Sequence, residues 1–241
     1  MEIKGAYYII AYDSCLNSGT RDLKGFAIGN GLTDPAIQYK AYTDYELDMG
    51  LITQSEFTKI NKIVPACEFA VKLCGTSGTV SCFAAYFVCN TIFSSIRQSL
   101  GVGDIEFVSC SPTVYQAMLL DWMRNLEVGI PELLENDIKV LIYAGEYDLI
   151  CNWLGNSRWV DSMEWSGKKA FVSSVEKPFT VDGKEAGILK SHGPLSFLKV
   201  HDSGHMVPMD QPKAALEMLK RWMSGNLSDA SSSSQRLDFA I

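Results

Sequence analysis

Two apolar runs in the chain each lead to a side chain that can take part in acid–base chemistry. Residues 138–144 lead to Asp148, and residues 195–201 lead to His205. A histidine titrates close to neutral pH and can accept the proton of a hydroxyl nucleophile. A carboxylate can hold the imidazole in one tautomer and stabilise the imidazolium when it forms. The pattern predicts that Asp148 orients the ring and that His205 carries the proton.

The nucleophile that this pair would serve is missing from the sequence. An acid and then a histidine, each following a strand, is the order of α/β-hydrolases, in which an earlier G-x-S-x-G turn carries the serine. The sequence contains no G-x-S-x-G. Ser14 follows an apolar segment, but Tyr12 and Leu16 stand where the turn needs small residues, and the next predicted strand begins too soon for the required helix. The chain is therefore predicted to lack its own nucleophile.

Each side chain is also compatible with a purely structural role. An aspartate at the end of a strand often caps a turn, and a histidine after a glycine often only packs. Two other histidines compete for the role of base. His192 lies beside a Gly-Pro turn and His201 lies within a predicted strand, so both are interpreted as structural.

Composition excludes several classes of function. The chain has 241 residues and a net charge of −7, so nucleic acid phosphates would be repelled. No apolar stretch is expected to span a membrane, which takes about 20 residues. Residues 6–12 are predicted to be a strand. The alternative is a signal peptide, but the apolar part is short and no small-residue cleavage site follows it. No metal or organic cofactor is implied.

Four cysteines indicate a disulfide-tied hairpin of helices. They are spaced by seven, eight and seven residues, too widely for a C-x₂₋₄-C zinc site. Residues seven apart share a helix face, and folding back at residues 75–78 gives nested pairs. The predicted pairs are Cys67 with Cys89 and Cys74 with Cys82. The alternative is four buried free thiols; pairing would indicate an oxidising compartment.

The other segments alternate between strand and helix patterns. Residues 23–28 read as a strand that ends at a glycine-rich turn, residues 38–99 as mostly helical, and residues 109–128 as an amphipathic helix. A hairpin is predicted around residues 181–184.

The final helix is predicted over residues 211–224. Asp210 is its expected N-cap and Gly225 its terminating residue. The residues assigned to its apolar stripe are Ala215, Leu216, Leu219, Trp222 and Met223.

Three long motifs resemble the serine carboxypeptidase family, and most closely its plant type-III members. They are K-G-F-A-I-G-N-G-L-T-D-P at 24–35, Y-A-G-E-Y-D-L-I-C-N-W-L-G-N at 143–156 and V-H-D-S-G-H-M-V-P-M-D-Q-P at 200–212. The resemblance covers residues 21–227. It implies an α/β fold, namely the C-terminal part of an α/β-hydrolase sheet with a helical, disulfide-tied cap insertion.

The resemblance also implies a function and roles for residues. It implies hydrolytic release of C-terminal residues from peptides, in the secretory pathway or the vacuole. Asp148 and His205 match the triad acid and base. Cys151 matches a free cysteine near the substrate pocket, and Met206 matches a residue that lines the leaving-group pocket.

The chain departs from the family in what it lacks. The Gly-Glu-Ser-Tyr-Ala-Gly elbow and the Asn-Gly-Gly-Pro-Gly oxyanion segment do not occur. Residues 97–100 stand where the family has a further cysteine-bearing stretch. The family partner of Cys110 would lie in the missing half, so Cys110 is expected to be unpaired.

Three hypotheses follow. The first is a truncated carboxypeptidase-like protein that is inactive alone. The second is a non-catalytic protein that pairs with a full-length relative through the cap, and the third is an acyltransferase relative. The predicted division is a partial hydrolase domain at 1–37 and 100–227, a helical cap at 38–99 and a disordered tail at 228–241.

Overall fold

The computed structural model describes residues 9–13, 23–100, 118 and 121–228. The strands in these ranges are β1 (Ile9–Asp13), β2 (Leu23–Gly29), β3 (Lys139–Gly145), β4 (Lys177–Val181), β5 (Lys184–His192) and β6 (Leu195–Val200). They form one mixed sheet in the order β1-β2-β3-β6-β5-β4. The three central strands β2, β3 and β6 run parallel, and β1 and the β4-β5 hairpin join them in antiparallel pairing. The predicted hairpin is confirmed.

Helices surround this sheet. Their bounds are α1 (Pro35–Asp48), α2 (Gln54–Ile60), α3 (Val64–Cys74), α4 (Val80–Ser99), α5 (Ile130–Glu135), α6 (Trp153–Ser162), α7 (Lys168–Val172), α8 (Val207–Asp210) and α9 (Pro212–Ser224). A 3₁₀ turn at Glu127–Gly129 precedes α5.

Strand β3 is buried on both faces. Leu141 and Tyr143 pack in one apolar cluster with Trp222 of α9, whereas Val140 and Ile142 pack in another with Trp159 of α6. This alternation follows from the two-residue period of a strand. Because helices pack on both faces of the sheet, the ends of its central strands are held in place.

Those ends meet at one edge of the sheet. Tyr143 of β3 pairs with Gly29 of β2, and Gly145 of β3 pairs with Val200 of β6. The loops that follow these parallel strands therefore leave the sheet side by side, where α/β proteins usually place their functional groups.

Helices α1 to α4 build a separate apolar cluster beside this edge. Helices α3 and α4 pack against each other and are joined by the disulfides Cys67–Cys89 and Cys74–Cys82. The nested pairing is confirmed, and the alternative of four free thiols is wrong. The prediction of helices through residues 38–99 is also confirmed.

The final helix differs from its prediction at its first residue and on its face. Gln211, not Asp210, is the N-cap, and it makes no capping hydrogen bond through its side chain. Leu216 is exposed, and the buried face instead carries Ala214, Ala215, Met218, Arg221 and Trp222. The left-handed Gly225 ends the helix as predicted.

Two further expectations are corrected. Residues 121–129 form turns and a 3₁₀ helix, so no α-helix extends to residue 128. In the described ranges, one helix, α4, is long and apolar enough to cross a membrane by length and composition, contrary to expectation. The inward side of α4 is buried in the helical cluster and tied to α3 by both disulfides.

Several predictions fall outside the described residues. They concern Ser14, Cys110, most of the helix predicted at 109–128 and nearly all of the predicted tail. The predicted N-terminal strand is confirmed in part, because β1 covers residues 9–13.

Candidate active site

Asp148 and His205 form a hydrogen-bonded pair at the edge where β3 and β6 end. Asp148 Oδ2 lies 2.8 Å from His205 Nδ1. Asp148 is 3 % exposed, and 35 % of the His205 side chain is accessible. The acid is thus held inside the protein while the imidazole reaches the surface. This is the arrangement in which a carboxylate fixes the tautomer of a catalytic base.

The loop that carries Asp148 is tied to the loop that carries His205 by its backbone. The amide of Glu146 donates to the carbonyl of Val200 at 2.9 Å, and the amide of Tyr147 donates to that of Ser203 at 2.8 Å. The loops approach so closely that a Cβ on Gly145 would lie 2.1 Å from the carbonyl oxygen of Gly204. Glycine is therefore required at position 145.

Asp210 stabilises the loop that carries His205. Its Oδ2 accepts a hydrogen bond from the backbone amide of Gly204 at 2.8 Å. The side chain of Gln211 donates to the carbonyl of Asp202 at 3.1 Å. The predicted helix cap is in fact a support for the residue before His205.

Asn30 is a third member of the site that sequence reasoning did not single out. Its side-chain amide donates to Asp148 Oδ2 at 2.6 Å and to the carbonyl of Gly204 at 3.4 Å. Its backbone has φ of 48°, a left-handed conformation that asparagine tolerates better than most residues. The signal in the sequence is the glycine-flanked Asn30 in the turn at residues 29–31, a pattern that by itself predicts only the end of a strand.

The hydrogen bond that His205 donates to Asp148 raises the pKa of His205, and partial burial lowers this pKa. The net direction is upward. The site thus favours the imidazolium, which is the charged form that a general base becomes after it takes a proton.

Cys151 lies beneath the pair. Its backbone amide donates to Asp148 Oδ1 at 3.1 Å, and its thiol is free and 2 % exposed. Burial, reinforced by the charge of Asp148, raises the pKa of Cys151 well above its ordinary value. The thiol stays protonated at neutral pH and is therefore a poor nucleophile.

The other predicted residues take different positions. Met206 is half-buried and directly follows His205. His201 lies between Glu146 and Glu185, with nitrogen–oxygen distances of 3.1 and 3.2 Å. His192 ends β5 near Trp165, away from Asp148.

Two tyrosines of α1 connect the helical cluster to the Asp148 loop. The hydroxyl of Tyr42 donates to the carbonyl of Ile150 at 2.7 Å, and that of Tyr45 donates to the carbonyl of Glu146 at 2.8 Å. Burial is the main reason that the pKa of Tyr45 is raised to about 12, so this hydroxyl keeps the proton that it donates.

A cleft of about 800 Å³ lies elsewhere, between α1, α3 and α6. Charged side chains of both signs line it, but neither Asp148 nor His205 does. The pair therefore does not open into this cleft.

Comparisons with known proteins give one family. A family model described as serine carboxypeptidase matches residues 6–86 and 92–225. A serine carboxypeptidase-like protein of rice (Oryza sativa subsp. japonica) is 70 % identical, with 100 % of this chain and 66 % of the rice protein covered. Serine carboxypeptidase 3 of rice is 61 % identical, with 95 % and 54 % covered. The chain thus spans between half and two thirds of the length of these relatives.

Two other proteins are also similar to this chain. A serine carboxypeptidase-like protein of pea (Pisum sativum) is 55 % identical, with 98 % of both chains covered. The solved structure of Kex1(delta)p, a prohormone-processing carboxypeptidase of Saccharomyces cerevisiae, matches with a TM-score of 0.66 at 22 % identity. That match covers 88 % of this chain and 56 % of the yeast chain. The predicted fold class, part of an α/β-hydrolase sheet with a helical, disulfide-tied insertion, is confirmed.

Proposed function

The chain belongs to the serine carboxypeptidase family, and on that basis we propose that Asp148 and His205 are the acid and base of a Ser–His–Asp triad. The triad would release C-terminal residues from peptides. The observation that carries this proposal is the 2.8 Å hydrogen bond between the buried Asp148 and the accessible His205. Asn30 supports it, because its amide donates to the same carboxylate oxygen.

In this mechanism the Nε2 atom of His205 accepts the proton of the serine hydroxyl as the serine attacks the scissile carbonyl. Asp148 holds the Nδ1 proton and stabilises the imidazolium, which then protonates the leaving amine. The serine and the oxyanion segment are supplied by the family's elbow and glycine-rich motifs, which this sequence does not contain. The chain alone is therefore proposed to be inactive, because loss of the nucleophile lowers kcat by about 10⁶-fold.

Membership of the family also supports proposals for the residues that contact the substrate and for the domain organisation of the chain. Cys151 would lie at the wall of the substrate pocket and Met206 at the leaving-group pocket. Residues 38–99 would form the cap over a hydrolase domain made of residues 1–37 and 100–227. The two disulfides favour a secretory or vacuolar location, since such bonds persist in oxidising compartments.

The test is labelling with a fluorophosphonate, which reacts only with activated serines. The chain alone should gain no adduct by intact mass. A fusion in which the elbow-bearing part of the 61 % identical rice relative precedes residue 1 should gain one. His205→Ala and Asp148→Asn should abolish that adduct, and the matched variant His201→Ala should keep it. Labelling of the fusion that survives His205→Ala would exclude His205 as the base.

A second candidate function is association with a full-length relative through the α3–α4 hairpin. It is favoured by an exposed apolar surface, which is unusual for a face that stays in water. The residues of this surface are Phe69, Leu73, Val80, Phe83 and Phe87. Size-exclusion chromatography with light scattering should show a complex with the rice relative that is lost in Phe83→Ser/Phe87→Ser. An unchanged elution volume for the mixture would exclude this function.

A further inference from the structure

Three different metal-binding side chains converge at the end of β3. Asp148, Cys151 and His205 each offer one ligand atom, and these atoms all lie within 4.8 Å of one another. Carboxylate oxygen, thiolate sulfur and imidazole nitrogen are the three ligand types that proteins use for zinc. Tetrahedral bond lengths of about 2.0–2.3 Å separate ligand atoms by roughly 3.3–3.8 Å. The 2.8 Å between Asp148 Oδ2 and His205 Nδ1 must therefore widen by about 0.5 Å, and separations that approach 4.8 Å must shorten by about 1 Å, for an ion to be held.

The carboxylate of this cluster is already held in place. The Asn30 amide donates to Asp148 Oδ2, and the Cys151 backbone amide donates to Asp148 Oδ1. Such hydrogen bonds to ligating groups orient them and typically change metal affinity by 10- to 100-fold when they are lost.

The positions in the chain also suit a shared site. Asp148 and Cys151 are three residues apart on one loop, and the backbone hydrogen bonds between the loops keep His205 beside them. Two ligands close in sequence and a third from another loop is a common arrangement for three-ligand zinc sites.

We infer that Asp148, Cys151 and His205 form a zinc site, to which the described part of the chain supplies three ligands and water the fourth. The ion takes the place of the hydrogen bond between Asp148 and His205. The thiol releases its proton to solvent, and the imidazole binds the metal through Nδ1 and carries its own proton on Nε2. Zinc and the proposed catalytic proton transfer therefore exclude each other. The inference does not rest on the proposed peptidase, because the ligands lie within this chain.

The probe is Co²⁺, which replaces zinc and reports its ligands through its spectrum. Chelator-treated protein should bind one equivalent and show intense visible d–d bands with a thiolate-to-cobalt charge-transfer band in the near ultraviolet. Zinc added afterwards should abolish both bands. Isothermal titration with Zn²⁺ should give the same stoichiometry.

Matched variants separate this site from others. Cys151→Ser should lose the charge-transfer band, and Asp148→Asn and His205→Gln should each weaken binding at least tenfold, about 1.4 kcal/mol. Far-ultraviolet circular dichroism checks that each variant is folded. If Cys151→Ser does not fold, Cys151→Ala is used in its place. His201→Gln, next to Glu146 and Glu185, should bind as the wild type does. No thiolate band in the wild type, or binding lost in His201→Gln but kept in Cys151→Ser, would overturn the inference.

Discussion

The side-chain amide of Asn30 donates to Asp148 Oδ2, the same oxygen that faces His205, across 118 residues of sequence. A buried carboxylate needs hydrogen-bond donors to replace the water that it has lost. Asn30 and the amide of Cys151 supply donors on the protein side, so His205 is not the only group that compensates the charge. The acid of the proposed triad is thus held in place before any substrate arrives.

Loss of the Asn30 amide should destabilise the protein. Asn30→Ala leaves a buried carboxylate oxygen with one donor fewer, which costs about 1.5–3 kcal/mol for a hydrogen bond to a charged group. Urea unfolding measures the change in the free energy of unfolding. Asn136→Ala is the matched control, because Asn136 is exposed and its side-chain amide donates to the carbonyl of Glu132, not to a buried carboxylate. Equal stabilities of the two variants would show that Asn30 does not support Asp148.

The pKa of His205 should fall when Asp148 is neutralised. In Asp148→Asn the main cause of the upward shift is removed, whereas partial burial still lowers the pKa of His205. Histidine NMR titration should therefore give a value below about 6.5. In the wild type, the raised folded pKa contributes stability that is fully present below about pH 6.5 and is lost as pH rises through the folded value. An unchanged pKa in Asp148→Asn would mean that the hydrogen bond is not formed in solution.

Glu46 should make the protein less stable in alkaline solution. Its side chain is buried, neither carboxylate oxygen has a hydrogen-bond partner among the described residues, and burial raises the pKa of Glu46 to about 8. Because the folded pKa is raised, the neutral acid is favoured and the associated stability is lost as pH rises from about 4.5 through 8.

Glu46→Gln removes this titration. It should exceed the wild type in stability by several kcal/mol, on the order of 4, at pH 9 and differ little at pH 4, as measured by urea unfolding across pH. Glu132→Gln, at an exposed position, should follow the wild type at both pH values. Parallel curves for Glu46→Gln and the wild type would show that Glu46 is not desolvated.

The two disulfides should contribute unequally. Cys74–Cys82, with a sequence separation of 8, lies inside the loop that Cys67–Cys89 closes with a separation of 22. With the inner bond intact the outer bond closes a loop of effectively about 15 residues, so loop-closure entropy predicts a cost of about 3 kcal/mol for opening Cys67–Cys89 and about 2.5 kcal/mol for opening Cys74–Cys82. Paired Cys→Ser variants compared by urea unfolding measure both. A greater loss from the shorter loop would show that contacts of the hairpin, and not loop length, decide its contribution.

The close approach of the two site loops should make Gly145 intolerant of substitution. In Gly145→Ala the added Cβ would overlap the carbonyl of Gly204, so the loops must separate and the protein should lose more than about 2 kcal/mol of stability. Gly204→Ala is the control. The Cβ added at Gly204 would lie 3.4 Å from Asp210 Oδ2, an ordinary contact distance, and the backbone of Gly204 is not left-handed. Similar unfolding midpoints for the two variants would contradict the observed loop packing.

Features that depend on local spacing could be predicted from the amino-acid order. The two-residue period of strands and the seven-residue spacing of cysteines on helices revealed β3, β6 and the nested disulfides. Acid and histidine after successive strands also predicted Asp148 and His205, because strand ends and their loops are defined by a few adjacent residues. The long motifs predicted the family for the same reason.

Relations between distant segments became visible only in the folded protein. The Asn30 side chain bonds to Asp148, and Asp210 accepts from the amide of Gly204 instead of capping a helix. Glu46 is buried with no hydrogen-bond partner for its carboxylate among the described residues. The fold also places β6 beside β3 and turns Leu216 outward. Local periodicity cannot specify these relations. Each depends on how the parallel strands pair and on which face of a helix packs against the sheet.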